Sequence, residues 1–569
     1  MKRRIVTFLI ATVCVGVSWG AYQAATSSAP EPALSGFVPS GASLYLQTKD
    51  FSSLLADWDK SREKPLWLKS NNYEVFSRSR LFLRLKDASH EFSTAAGIPA
   101  DTNLLAQVAG RQSALAIFDI GKLQFLYITR LPSASSMQSA LWQTREKFET
   151  RSAGGVTFFV RRDPDSAREV AFAVNGGYLL LATQERLLAG ALELMANGNA
   201  PSIESESWWS QSVAAASKES DLRMVLNLEK IVPSPYFRSY WVQPNISELE
   251  NYSAAISDLT RSGKEFREDR ILLRKAPATI GASAAAGPAA VADLVRFVPA
   301  QSGVYQVAAN PAPAICLALL ETKILAPHLG PAVAAKLAPD VLLSNGETGA
   351  ATDLETRIDQ PPVAATVSVD SMAPLQKLLA ENPVSAILVV QSTERNPDGV
   401  FVRIHSAIAF LGQSEWNEAA VRTALVDFVR PGLTTGDMGV EWDNNAGHIE
   451  LDGLWPMAVA VRGKYLLVSD DAELLAGMLA KAKINPHATM EPAAYAAGFD
   501  HRHDRENFMR LTGLLDDAAG NSAPGHIPSF FSENIASLSS TLAGVASEKV
   551  VIRDTRDQEN QTVAYEWTR

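Results

Sequence analysis

Short apolar or alternating runs along the chain predict strands, and stretches with apolar residues three and four apart predict helices between them. Strand-like runs occur at residues 114–118 and 125–130, and again at residues 386–390 and 400–411. An amphipathic helix is expected after each pair of runs. This pattern favours an α+β fold with a mainly antiparallel sheet and packed helices.

Two motifs recur in the same order along the chain. Residues 37–45 match residues 297–305, with Phe, Val, Pro and Tyr identical. Residues 173–192 match residues 460–479, with 11 identities in 20 positions. Self-similarity in a fixed order is the mark of repeated structural units. The sequence therefore predicts two tandem copies of one α+β domain.

Each copy of the second motif reads as a strand, a glycine turn, a return strand and a leucine-rich helix. Gly176 and Gly463 occupy the turn, where a positive backbone φ suits glycine. Tyr178 and Tyr465 begin the return strands, and we expect their rings to pack in the core, as we do for Tyr45 and Tyr305 of the first motif.

The first predicted strand is followed by a helix. Phe51, Leu54, Leu55 and Trp58 fall on one helical face, so this helix is expected to pack against its domain.

These patterns divide the chain into five parts. Residues 1–25 form a signal peptide or membrane anchor, and residues 26–35 have the composition of a flexible spacer. Residues 36–275 form the first repeat and residues 296–569 the second. Residues 276–295, rich in small side chains, are interpreted as a linker in preference to a buried Ala-rich helix.

The N-terminus predicts export. Lys2, Arg3 and Arg4 precede an uncharged stretch at residues 5–25, which gives the charged and apolar regions of an export signal. The stretch is also long enough to span a bilayer, so a cleaved signal and an uncleaved anchor both stay open. In either case the remainder is expected to be extracytoplasmic, in the periplasm or at the cell surface.

Composition narrows the class of protein. The 569 residues are 47% hydrophobic and 20% charged, which is typical of soluble globular domains. Acidic residues outnumber basic ones 62 to 52, so nucleic-acid binding is not expected. Cys14 lies in the apolar stretch, which leaves Cys316 without a disulfide partner, and we interpret it as a small buried hydrophobe.

The repeated motifs resemble a family. The Val-Pro and Tyr of residues 38–45, the run at residues 104–116 and the Ala-Val-x-Gly-x-Tyr-Leu-Leu of residues 173–180 resemble a family of exported bacterial envelope proteins of unknown function. The second half departs from that pattern at residues 384–390, which lack the Gly-Arg pair of the first half. The resemblance implies an envelope location and assigns no catalytic residue.

Motifs that carry chemistry are few. A Gly-x-Ser-x-Gly pattern lies inside the export signal at residues 16–20, and Ser-x-x-Lys at residues 61–64 lacks its companion motifs. His501 and His503, flanked by acidic residues, could hold Zn²⁺ or Cu²⁺ if they lay on a strand. The preferred interpretation is a solvated helix start capped by Asp500.

An aromatic cluster offers a platform for a ligand such as a sugar ring or a partner protein. Its members follow the Trp208–Trp209 pair in the sequence and are Tyr236, Phe237, Tyr240 and Trp241.

These observations favour a non-catalytic extracytoplasmic envelope protein with a binding or scaffold role. An exported hydrolase with a cryptic site, or a metal-binding protein using His501 and His503, remains as an alternative, so the sequence leaves enzymatic activity undecided. No cofactor is expected. The expected partner is an envelope protein or a polysaccharide, together with the inner membrane if residues 5–25 are not cleaved.

Overall fold

The computed structural model describes most of the chain after the N-terminal apolar stretch. The described residues are 32–567 except 62, 69–72, 74–76, 79, 165–167, 199, 217–219, 236–248, 279–286, 301, 326–368, 396–401, 434–440, 446, 453–456, 485–489 and 505–544.

Strands form at the alternating and apolar runs that predict them and at further positions. In chain order they are β1 Leu44–Thr48, β2 Ser113–Asp119, β3 Gln124–Arg130, β4 Glu149–Ala153, β5 Val156–Arg162, β6 Glu169–Asn175, β7 Tyr178–Ala182, β8 Leu222–Asn227, β9 Tyr252–Arg261, β10 Glu265–Arg274, β11 Val304–Ala309, β12 Val384–Arg395, β13 Val402–Gly412, β14 Glu441–Asn445, β15 His448–Asp452, β16 Met457–Arg462, β17 Tyr465–Ser469, β18 Tyr495–Asp500, β19 Val545–Asp554 and β20 Gln558–Trp567.

Helices lie between the strands, and several are single turns. In chain order they are α1 Phe51–Lys60, α2 Glu63–Leu68, α3 Arg80–Ala96, α4 Thr102–Val108, α5 Ser133–Ser136, α6 Ala140–Gln143, α7 Glu185–Asn197, α8 Ser207–Ala215, α9 Leu228–Ile231, α10 Gly287–Val295, α11 Pro313–Leu319, α12 Val369–Glu381, α13 Glu418–Leu433, α14 Ala472–Ile484 and α15 His501–Asp504. A 3₁₀-helix at Leu34–Phe37 precedes β1, and a π-helix at Leu320–Leu325 follows α11.

The chain is α+β with extensive antiparallel sheet, as the sequence predicts. Its described part forms two compact units. Unit 1 comprises the described parts of Met1–Ala42 and His90–Ser207, and unit 2 those of Ser43–Ser89 and Trp208–Arg569.

In unit 1, six antiparallel strands pair in the order β2–β3–β7–β6–β5–β4. Gly176 turns the β6–β7 hairpin with φ +56°, as predicted. Helix α7 then places Leu187, Leu188 and Leu192 in the core. It ends at Gly198, whose φ of +64° suits the left-handed helix cap.

In unit 2, fourteen strands pair without a break. The order is β1–β8–β9–β10–β20–β19–β18–β11–β12–β13–β17–β16–β15–β14, and every pair is antiparallel. The junction of the sheet, which we define as the β10–β20 pair, runs from Glu265 opposite Glu566 to Leu273 opposite Gln558. It joins strands far apart in the sequence.

The strands numbered β11 to β18 lie next to one another in this sheet, and helices cover both faces of this part. On one face, Leu379 of α12 and Leu425 of α13 pack in a core with Phe410 of β13. On the other face, Leu294 of α10 and Met478 of α14 pack in a core with neighbouring strand residues. Each strand is therefore apolar on both faces here, which explains the continuous apolar runs of β12 and β13.

The units do not follow the predicted domain bounds, because β1 and β8–β10 of the first predicted repeat join the sheet of unit 2.

Part of the predicted linker forms a buried helix, which was the alternative interpretation of this segment. Within residues 276–295, α10 buries Ala290, Val291 and Leu294. Small side chains let this helix approach the strands closely, which a solvated linker would not do. The end of the predicted spacer is also folded, since Leu34 is fully buried.

The predicted helix after β1 is present as α1, and its predicted apolar face is only partly covered. Phe51, Leu54 and Leu55 are half-buried. Trp58 is 43% exposed, so this end of the face lies at the surface.

Within the described residues, no helix has the length and apolar character needed to cross a bilayer. The predicted signal or anchor at residues 5–25 lies outside the described residues.

Candidate functional site

The predicted aromatic platform of Tyr236, Phe237, Tyr240 and Trp241 lies outside the described residues. The upstream pair is described and packs internally. Trp208 and Trp209 are less than a tenth exposed, and the ring of Trp209 meets that of Tyr45 edge-on with centroids 4.8 Å apart. These two indoles belong to the core of unit 2.

His501 begins a short helix, α15, directly after β18. Asp500 caps this helix by accepting a hydrogen bond from the Arg502 amide at 2.9 Å, as predicted. The expectation of a solvated histidine is wrong, because His501 is 2% exposed. Its ring lies edge-on to Phe499 with centroids 4.3 Å apart.

A carboxylate partners the buried imidazole. Nε2 of His501 lies 2.8 Å from Oε1 of Glu548 on β19, and the Glu548 side chain is itself 4% exposed. With Nε2 paired to a carboxylate, Nδ1 is the nitrogen of His501 through which a metal would bind. The side chain of His503 lies outside the described residues, so the metal-binding alternative stays a prediction. Within the described part of the chain, no three His, Cys, Asp or Glu side chains are grouped to hold a metal ion.

A second group of polar side chains, in which Glu559 and Gln561 are buried, spans the sheet junction. We name it the junction cluster and define it as Tyr252, Arg274, Asp554, Glu559 and Gln561. The carboxyl of Glu559 is at its centre and is 4% exposed. Oε2 accepts from the Tyr252 hydroxyl at 2.7 Å, and Oε1 accepts from the Gln561 amide at 2.7 Å.

Charge surrounds this carboxyl on the adjacent strands. The Arg274 guanidinium on β10 lies 3.6 Å from Glu559 and 2.6 Å from Asp554 on β19. Burial raises the pKa of Glu559, with a smaller contribution from Asp554, and the donors Gln561 and Tyr252 offset only part of the rise. A carboxyl held in this way keeps its proton to a higher pH than an exposed glutamate.

Further ion pairs lie within β10 and between β8 and β9. Arg270 binds Glu268 through two hydrogen bonds of 2.7 Å. Burial alone would raise the pKa of Glu268, but the hydrogen bond and charge of Arg270 outweigh it and the pKa is lowered. Arg223 on β8 binds Asp258 on β9 in a bidentate pair at 2.6 and 2.7 Å. Each pair ties neighbouring positions of the sheet together.

The tyrosines of the repeated motifs occupy structural positions. The Tyr465 hydroxyl donates to the Asp293 carboxylate of α10, and the Arg296 guanidinium lies 5.1 Å from its ring centroid. Tyr305 lies in a strand, and burial raises its pKa to about 12. A phenol that is this hard to ionise suits core packing.

Sequence reasoning missed the junction cluster. Its signal is present in β20, where Glu559 and Gln561 share one face with Val563 and Tyr565 because side chains alternate along a strand. Two polar residues in line with core positions indicate a buried polar group, but the sequence does not show which distant strands supply its partners.

Comparison with known proteins does not assign the chain to a family. No family model and no curated protein match the chain. Three solved structures, titled as crystal forms IV, I and III of TP0453, are 10%, 12% and 11% identical to it. They cover 42% to 44% of this chain and 79% to 84% of their own chains, each with a TM-score of 0.24. A likeness at that TM-score supports no conclusion about fold or function.

Proposed function

We propose that this chain is a non-catalytic extracytoplasmic envelope protein with a binding or scaffold role. The proposed location is supported by the N-terminal sequence, where three basic residues precede the uncharged stretch at residues 5–25. The proposed role is supported by one structural observation. Glu559 and Glu548, the buried carboxyls of unit 2 described above, are each paired with a side chain of another strand or helix.

A catalytic acid or base must come within hydrogen-bond reach of a substrate atom. Both oxygens of Glu559 instead accept from Tyr252 and Gln561, and His501 is paired with Glu548 inside the protein. The Tyr252–Glu559 hydrogen bond joins β9 to β20, with β10 between them in the sheet. We therefore assign these groups to holding the sheet together.

We propose further that the scaffold consists of two copies of one domain. The two matched motifs bring the same pair of rings together in each half. Phe37 and Tyr178 have centroids 5.7 Å apart, and Phe297 and Tyr465 have centroids 5.1 Å apart. The two sequence motifs, which match independently, therefore contact each other through the same Phe–Tyr pair in each half.

Strand order supports the same proposal. The order β2–β3–β7–β6–β5–β4 in unit 1 equals β12–β13–β17–β16–β15–β14 in unit 2. Within unit 2, β1–β8–β9–β10 equals β11–β18–β19–β20. In this arrangement the last strands of the two copies pair with each other and make one long sheet.

A fusion of alkaline phosphatase behind residue 35 tests the location. The enzyme is active only after export, so the fusion should be active in intact cells. The matched control lacks residues 1–25 and should be inactive at equal expression. An inactive, well-expressed full fusion would show that the proposed location is wrong.

Cross-linking in intact cells tests the role. An envelope scaffold should give a discrete cross-linked species with an envelope protein or a polysaccharide. The amount of this species should increase with the expression level of the chain. The Glu559→Gln variant should give the same species, because the role does not require a catalytic carboxyl. Loss of the species in a Glu559→Gln protein that remains folded would contradict a non-catalytic role.

A further inference from the structure

Strand β4 lies at an edge of the sheet of unit 1. It pairs with β5 on one side, and among the described residues no strand pairs with its other side. Glu149, Thr150, Arg151 and Ser152 are exposed. An edge strand of this kind presents a row of main-chain N–H and C=O groups, to which a strand of another chain can add.

The turn after β4 shows which of its main-chain groups face outward. Gly154 and Gly155 form a two-residue turn with φ of +56° and +76°, so the residues that flank the turn form a hydrogen-bonded pair. Hydrogen-bonded and non-hydrogen-bonded pairs alternate along an antiparallel ladder. Counted back from the turn, Thr150 and Ser152 fall in non-hydrogen-bonded pairs with β5. Their N–H and C=O groups therefore point away from β5, toward the outer edge.

The charged side chains of β4 make the strand complementary to itself. Glu149 and Arg151 are 72% and 51% exposed, and a carboxylate oxygen of one lies 2.6 Å from a guanidinium nitrogen of the other. Thr150 lies between them in the sequence. When two copies of β4 run antiparallel with Thr150 opposite Thr150, Glu149 of each copy lies opposite Arg151 of the other copy.

We propose that two copies of this chain pair through β4, antiparallel and with Thr150 opposite Thr150. In this register the two Thr150 residues exchange two main-chain hydrogen bonds, because their N–H and C=O groups point outward. Two Glu149–Arg151 pairs form by symmetry, and opposite charges on neighbouring strands stabilise a sheet. A register shifted by two residues would place Arg151 opposite Arg151, so the charges select the register.

Charge complementarity also selects a second β4 as the occupant. The other candidate is β14, which ends the sheet of unit 2 in the described part of the chain. An antiparallel β4–β14 pair with Thr150 opposite Asn444 contains one opposite-charge pair among the described side chains, Arg151 with Asp443, whereas the β4–β4 pair contains two. A β4–β14 contact between copies would extend into rings or filaments, and the β4–β4 contact closes as a two-fold dimer. The proposal does not depend on the envelope location.

Sedimentation equilibrium of the purified full chain in detergent micelles tests the pairing. Wild type should form a dimer as protein concentration rises, and no larger species. Thr150→Pro should abolish the dimer and leave the chain folded, because the N–H that proline lacks points away from β5. The matched control is Asn444→Pro, which places proline in β14 and should dimerise as wild type does.

Charge reversal gives a second readout that leaves the main chain unchanged. Glu149→Arg alone, or Arg151→Glu alone, turns both pairs across the interface into like charges, so each should raise the dissociation constant of the dimer roughly 10-fold. The double variant, Glu149→Arg with Arg151→Glu, restores both pairs and should dimerise as wild type does. An equimolar mixture of the two single variants should also dimerise, as a heterodimer. Circular dichroism checks that each variant is folded.

These variants separate the proposal from other routes of association. Contacts between the apolar residues 5–25 of two copies would respond to none of the substitutions. A wild-type chain that stays monomeric, or a dimer that Thr150→Pro does not weaken, would overturn the proposal. Loss of association in folded Asn444→Pro would indicate β4–β14 pairing instead, and a double variant as weak as the single variants would contradict the register.

Discussion

Replacing Glu559 by Gln should leave the junction of the sheet folded and remove part of the pH dependence of its stability. The carboxyl accepts hydrogen bonds from Tyr252 and Gln561, each at 2.7 Å. A Gln side chain at this position keeps one acceptor and adds one donor. Among the described residues, Oε1 of Gln561 has no hydrogen-bond partner, so rotation of the Gln561 amide would bring that oxygen to the new donor.

The magnitudes differ sharply between two substitutions. Glu559→Gln should cost about 1 kcal/mol, because one hydrogen bond is exchanged for another. Glu559→Leu should cost about 2–6 kcal/mol, because it leaves the Tyr252 hydroxyl and the Gln561 amide without their acceptor, at about 1–3 kcal/mol for each buried group. It also removes a countercharge of Arg274.

The pH dependence follows from the direction of the pKa shift. Burial raises the pKa of Glu559 above its ordinary value of 4.5, so the folded state holds this proton more tightly than the unfolded chain does. The stabilisation is complete below the ordinary pKa and is lost as pH rises through the raised pKa. Each unit of elevation amounts to about 1.4 kcal/mol. Wild type should therefore lose stability relative to Glu559→Gln as pH rises above 4.5.

Urea unfolding followed by tryptophan fluorescence measures this difference. The free energies of unfolding of wild type and Glu559→Gln are compared at pH about 4, below the ordinary pKa of 4.5, and at pH about 8. Because wild type and variant share all other titrating groups, the contributions of those groups to the pH dependence cancel in the difference. A difference between the two proteins that is the same at both pH values would refute the reasoning, as would a Glu559→Gln variant as unstable as Glu559→Leu.

Two further predictions concern packing and metal binding. Gly498→Ala should destabilise the protein by about 1–3 kcal/mol, because the new Cβ would lie 2.8 Å from Cζ of Tyr305; Gly477→Ala on α14, where a Cβ meets nothing within 4 Å, should be neutral or stabilising in the same thermal unfolding assay. Purified protein should contain no zinc or copper above background by mass spectrometry, and stoichiometric metal that disappears when His501 and His503 are both replaced by Gln would favour the metal-binding alternative.

Local structure was largely predictable from the sequence. The hairpin and helix of residues 170–192 follow from alternation, a glycine turn and leucine spacing, and Gly176 and Gly463 have the positive φ that the turns need, +56° and +58°. Burial of Cys316 is confirmed, and burial raises its pKa to about 12. Such features depend on neighbours in the sequence, so a single sequence contains their signal.

Long-range pairing was not predictable. β10 and β20 end the first and the second predicted repeat, and the sequence holds no local sign that they pair with each other. Residues 276–295 are so rich in small side chains that no apolar stripe distinguishes a buried helix from a linker. Trp58 is 43% exposed although it lies on a well-patterned face, because periodicity predicts a helix but not what covers it.

Labelling of an exposed cysteine in intact cells tests the extracytoplasmic location of the folded chain most directly. Ile484→Cys in a Cys14→Ser background places a thiol at a position that is 74% exposed, whereas Cys316 is buried and serves as the unreactive internal control. In spheroplasts, a membrane-impermeant maleimide should label the variant fully without lysis and leave the parent protein unlabelled. Labelling of the variant only after lysis would place the folded chain in the cytoplasm and contradict the account.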